Sequence, residues 1–231
     1  MRSFIALTVL GLAGLAVAVA VVPVLLVDGP GASPTLAIVQ HAVLVALAAL
    51  AGTSLAPIAN LRSHVAGIGS RWCGPEVGAA LLIGVGIAAL DVVAGLLLLP
   101  GLDHAARPSA TVALWPLALA ALSVCDEILW RWGALSVVLS VLLAIRRRHG
   151  PAILGERLFA AAIVAVIVVA AHATRDGSDR MWLAQALTAG LPALAYGWLC
   201  ARWSLEAAMI AHVVQHLLAA LAIVGGFAIA G

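Results

Sequence analysis

Apolar residues run along this chain in long blocks, and polar or breaker residues collect in short stretches between them. A bilayer core of about 30 Å is crossed by roughly 20 apolar helical residues. Seven blocks meet that length, and the pattern predicts helices over 4–27, 35–56, 77–99, 112–145, 156–173, 181–201 and 205–230. The stretches between them include DGPGASP, PGLDHAARPS and RRRHGPAILGE, which combine Gly, Pro and charge and so end helices. The first block is unbroken from Phe4 to Val27, longer than the roughly 7–15 apolar residues of a signal peptide, and reads as a membrane anchor. The fourth is long for one span, so it is expected to tilt, to protrude, or to break near its polar cluster. No repeat, low-complexity tract or soluble module interrupts the series. The pattern therefore predicts an all-α polytopic membrane protein forming one transmembrane domain over 1–231, with three N-terminal spans in 1–110 and four in 111–231.

Composition agrees, with 65% hydrophobic and 10% charged residues, against roughly 25% charged in a soluble domain. All 12 basic residues are Arg, and the net charge of +2 is too small and too dispersed for a nucleic-acid partner. Cys73, Cys125 and Cys200 have neither metal-ligand nor disulfide spacing and read as small buried residues. The arginines fall unevenly about the predicted spans. Arg2, Arg62, Arg71, Arg146, Arg147, Arg148, Arg157 and Arg202 share one side, and Arg107, Arg175 and Arg180 the other. Positive charge stays cytoplasmic, which predicts a cytoplasmic N-terminus and an external C-terminus; the expected location is a bacterial inner membrane.

Ionisable groups inside spans cost free energy and by default mark function. They are His41, Asp91, then Asp126, Glu127 and Arg131 within CDEILWRWG, His172 closing the fifth span, and His212 and His216 in HVVQH. Glu127 and Arg131 are spaced i,i+4 and can neutralise each other. Asp126 points about 100° away around the helix and is not absorbed by that pair, and Trp130 one turn on can wall its pocket. His212 and His216 are also i,i+4 and put two imidazoles on one face. Glu206 suits a helix entrance, where a carboxylate meets the N-terminal dipole. His41 and Asp91 have no partner readable in the sequence, and helix-to-helix hydrogen bonding is their expected use.

Two chemistries fit this set. Hydrolysis of a peptide bond needs a water, a carboxylate or histidine to take its proton, and N–H donors for the developing oxyanion. The same atoms make a plausible zinc shell, from Asp126, His172, His212 and His216. Residue types and spacing leave both open.

DEILWR, an isolated His on the next helix and HVVQH two helices later together resemble the CPBP family of intramembrane proteases. These are relatives of the CAAX-processing endopeptidase and of bacteriocin-processing and abortive-infection proteins. The family pattern is Glu-Glu-x-x-x-Arg, then Phe-x-x-x-His, then His-x-x-x-Asn or Asp, and the resemblance covers roughly residues 115–220. It implies a helical membrane core in the last four spans and metal-free, glutamic-type peptidase activity, with Asp126 and His172 activating water and His212 and His216 forming the oxyanion site. Glu127 and Arg131 match the second Glu and the Arg of the first motif. The chain departs from the pattern at Asp126 (for Glu), Val168 (for Phe) and His216 (for Asn or Asp). The Asp withdraws its carboxylate by one methylene, whereas His216 keeps an N–H donor.

The expected function is thus an intramembrane endopeptidase acting on membrane-anchored or membrane-delivered protein or peptide, with lipid as its surroundings. Alternatives are a non-proteolytic immunity or interaction protein on the same scaffold, or a proton or metal transporter. At 1.5 Å rise per residue, His212 lies about 12 Å and His172 about 24 Å from their predicted helix starts, so convergence requires tilted or staggered helices.

Overall fold

A computed structural model describes residues 1–22, 33–69, 72–98, 110–147, 150–173 and 186–230, with side chains at all of these except 95–98, 110–113, 172–173, 186 and 223–230. The described residues are helical apart from short connections. They form α1 (Arg2–Val21), α2 (Pro34–Ala59), α3 (Gly74–Leu98), α4 (Ala110–Glu127), π1 (Ile128–Ala134), α5 (Leu135–Ile145), α6 (Leu154–Ala173), π2 (Ala186–Gly190), α7 (Leu191–Arg202) and α8 (Leu205–Ala230). Six helical stretches among them are long and apolar enough to cross a membrane: α1, α2, α3, the α4–π1–α5 run, α6 and α8. The expected span at 181–201 begins outside the described residues and continues as π2 and the 12-residue α7. Residues 23–32, 70–71, 99–109 and 174–185, which include Arg71, Arg107, Arg175 and Arg180, lie outside the described residues, as does Arg148.

The long fourth span does not break at its polar cluster. It widens there into a seven-residue π segment, closed by the i→i−5 bond from Leu135 N–H to the Trp130 carbonyl. Such widened turns recur at functional sites. Here the widening turns Ile128, Arg131, Trp132 and Gly133 all inward. Trp132 is fully buried; its Nε1–H donates to Thr53 Oγ1 over 3.4 Å, and its indole lies where a Cβ on Gly52 would stand 2.2 Å away.

Small residues let the helices approach closely. A Cβ on Gly133 would stand 2.6 Å from that of Ala48, seating π1 on α2, and one on Gly84 would stand 2.6 Å from the Ala211 carbonyl oxygen, seating α3 on α8. The second contact adjoins His212, so α3, from the N-terminal half, sets the depth of a site residue.

Glutamates begin α3, α6 and α8 at positions 76, 156 and 206, where the helix dipole favours negative charge. Glu206 meets its expectation as a helix-entrance carboxylate and also binds another connection. Its Oε1 accepts from Ser63 Oγ at 2.6 Å and Val65 N–H at 3.0 Å, and its Oε2 from His64 N–H at 3.0 Å. Glu76 Oε1 lies 3.1 Å from His64 Nε2 and also accepts from Ser204 Oγ. The Ser3 hydroxyl donates to the Ala66 carbonyl at 2.5 Å. These bonds gather the start of α1, the 60–69 connection and the starts of α3 and α8 at one end of the bundle, the end that holds Arg62, Arg157 and Arg202.

Candidate active site

Glu127 ends α4 fully buried, and its Oε1 is the centre of a polar chain. Arg131 Nη1 donates to it from 3.2 Å, one turn on, so the i,i+4 pair read from the sequence forms. His212 of α8 reaches the same oxygen, with Nδ1 2.8 Å away. Because the carboxylate oxygen accepts, Nδ1 carries a proton, which leaves His212 Nε2 facing the rest of the site. That nitrogen lies 3.1 Å from His216 Nε2, so the two imidazoles share one hydrogen bond.

Arg131 is held on three sides. Besides Glu127, Nη2 donates to the Ala193 carbonyl at 3.4 Å, and the guanidinium lies 5.4 Å from the Tyr196 ring centroid. Tyr196, the chain's single tyrosine, also stacks on His212 at 4.7 Å with 25° between planes. Its hydroxyl donates to Gln215 Oε1, and Gln215 Nε2 donates to Asp91 Oδ2 on α3. Asp91 thus has a partner, and it is tied to the site through two residues that the sequence did not flag. Gln215 sits inside HVVQH, where the flanking histidines drew the notice; Tyr196 carries no motif.

Asp126 is half-buried, within electrostatic reach of His212, Glu127, Arg131 and His41. Among the described residues nothing hydrogen-bonds its carboxylate. His41 binds within its own helix, Nδ1 lying 2.9 Å from the Ala37 carbonyl, and α2 brings it close enough to act on Asp126. Trp130 is half-buried in π1 and packs on the apolar core. His172 lies in the last turn of α6, and its side chain is outside the described residues. The structure therefore brings Glu127, Arg131, His212 and His216 into one connected chain with Asp126 beside it.

Three buried atoms of this cluster have no hydrogen-bond partner: Glu127 Oε2, Arg131 Nε and Asp91 Oδ1. Buried polar atoms are nearly always satisfied, so unpaired ones on a charged chain inside a span suit a site that receives water or a polar substrate group. With regard to zinc, no three His, Cys, Asp or Glu side chains among the described residues are grouped so as to hold a metal ion.

No curated protein and no solved structure matches the chain. A family model does, the one described as type II CAAX prenyl endopeptidase Rce1-like, over residues 108–218. The matched segment holds the Glu127–Arg131 pair, His172, Tyr196, His212 and His216, and excludes α1, α2 and α3. Residues 108–218 thus match an Rce1-like type II CAAX prenyl endopeptidase domain, a likeness consistent with the CPBP family of membrane proteases.

Proposed function

We propose that this protein is an intramembrane endopeptidase that hydrolyses a peptide bond of a membrane-anchored or membrane-delivered protein or peptide. The observation that carries the proposal is the buried Arg131–Glu127–His212–His216 chain inside a peptidase-family domain. In this reading Asp126 and His172 hold a water. Its proton passes to that pair as its oxygen attacks the scissile carbonyl carbon. Glu127, balanced by Arg131, accepts the His212 Nδ1–H and fixes the orientation of the ring. With a second proton on its ring, His212 turns Nε2–H from His216 to the carbonyl oxygen as negative charge develops there, and His216 serves as the second donor through Nδ1–H. Oxyanion stabilisation of this kind is often the largest single term in catalysis. When the C–N bond breaks, the proton on the Asp126–His172 pair moves to the leaving amine.

Zinc is an alternative means of activating the water, and activity measured with and without chelator, beside metal analysis, separates the two. The protein sits in the bilayer; the arginine distribution favours a cytoplasmic N-terminus, and a bacterial inner membrane is the location in this reading.

The test is cleavage of prenylated peptides ending in Cys-aliphatic-aliphatic-X, the motif that marks prenylated C-termini, and of a wider library of membrane-anchored peptides, by purified protein in liposomes. Wild-type activity lost in Asp126→Asn, His172→Ala and His212→Ala supports the proposal. Full activity in the two His variants overturns it, and an uncut library with a phenotype that survives all three substitutions assigns the chain to the immunity or interaction class.

A further inference from the structure

We propose that Arg62, Arg157 and Arg202 form a binding site for a phosphate group, the chemistry shared by acidic phospholipid headgroups and free phosphate. The site lies at the arginine-rich end of the bundle and is independent of the peptidase reading.

Backbone and side-chain bonds bring the three together. Arg157, in the first turn of α6, donates from Nη1 to the Asn60 carbonyl at 3.0 Å. Asn60 caps α2 in a left-handed conformation with φ 52°. Two residues on, the Arg62 carbonyl accepts from Leu205 N–H at 3.0 Å, which fixes Arg62 beside the α7–α8 junction. Arg202 ends α7 there, its guanidinium 4.8 Å from the Trp203 ring centroid. Arg157 is accordingly within electrostatic reach of both Arg62 and Arg202.

Three guanidiniums so placed repel one another, and among the described residues no carboxylate pairs with any of them. Glu206 is occupied by the 63–65 backbone and Ser63, Glu76 by His64 and Ser204, and Glu156 faces Arg146 at 3.7 Å. The negative ends of α2 and α7 offset part of the charge, roughly half a unit each. Three positive charges against about one leave an excess near two, the charge of one phosphate. Two buried donors at this end, Arg157 Nε and Trp203 Nε1, have no acceptor. Arginine forks match phosphate oxygens. Basic pockets between spans at a membrane surface bind acidic headgroups, and the apolar spans of α6 and α8 begin directly at this cluster.

The test is thermal unfolding of delipidated protein in detergent, titrated with phosphatidylglycerol, with phosphatidylcholine and, separately, with inorganic phosphate. Arg62→Gln, Arg157→Gln and Arg202→Gln are compared with Arg147→Gln, an exposed arginine at the same end but outside the cluster. Phosphatidylglycerol should raise the unfolding temperature saturably. The half-saturating concentration should increase about fivefold for each cluster variant, since a basic residue near a membrane surface contributes about 1 kcal/mol toward acidic lipid. Arg147→Gln should titrate as wild type. A matching saturable response to inorganic phosphate alone assigns the site to free phosphate, and its absence assigns it to lipid. Arg157→Gln also loses the bond to Asn60, but Arg62 and Arg202 are exposed, so their variants keep the test intact if it fails to fold. Equal shifts from the two lipids, or equal shifts in cluster and control variants without a phosphate response, would overturn the proposal.

Discussion

Replacing Arg131 by methionine removes one end of a buried ion pair and leaves the other in place. Glu127 is 0% and Arg131 4% exposed, and their nearest atoms are 3.2 Å apart. At an effective dielectric constant near 20 that separation corresponds to about 5 kcal/mol of attraction, and breaking a buried pair from one side typically costs about 3–5 kcal/mol. His212, at 2.8 Å, stays to share a proton with Glu127, so the expected loss is about 3 kcal/mol, at the lower end. Arg131→Met/Glu127→Gln removes the stranded charge while Gln keeps an acceptor for His212, and should recover at least half of that loss. The assay is reversible unfolding in mixed detergent micelles for wild type, both single variants and the double variant. A double variant that loses the sum of the two single losses, to within about 0.5 kcal/mol, would refute the idea that Glu127 and Arg131 answer one another.

Three further outcomes follow from the geometry. Asp126→Asn should lower kcat at least about 100-fold, the lower range for a lost general base, with an unchanged unfolding temperature because no described side chain bonds it. Gly84→Ala puts a Cβ 2.6 Å from the Ala211 carbonyl oxygen; overpacking of this kind costs about 1–3 kcal/mol, and unfolding measured beside activity should show both fall, since α8 carries His212. Glu206→Ala removes three hydrogen bonds to residues 63–65. At about 1.5–3 kcal/mol for each bond to a charged group, offset by relief of a buried charge, the unfolding free energy should drop by about 3 kcal/mol with peptide cleavage by the folded fraction unchanged.

What the sequence made legible was whatever a single helix decides. Glu127 and Arg131, and His212 and His216, are one turn apart, and both pairs meet at the distances that spacing implies. Contacts between helices were not legible in the same way. Tyr196 meets Gln215 across 19 residues and Gln215 meets Asp91 across 124, so neither residue stands out until the bundle is assembled. The His212–Glu127 bond, across 85 residues, likewise had no signal in either motif. The π segment also escaped, because its cause lies on another helix: Trp132 and Gly133 seat on Gly52 and Ala48 of α2. Span lengths were read well wherever apolar composition sets them, and least well at 181–201, where a π turn and a 12-residue helix are the described part.

The central claim is that Glu127 holds His212 as the group that stabilises the oxyanion while Asp126 and His172 deliver the water. Single-turnover cleavage of a membrane-anchored peptide by wild type, Asp126→Asn, His172→Ala, His212→Ala and Glu127→Gln tests it most directly. The account predicts that each variant slows the cleavage step by at least about 100-fold while peptide binding is retained. Wild-type single-turnover rates in His212→Ala and His172→Ala would contradict it.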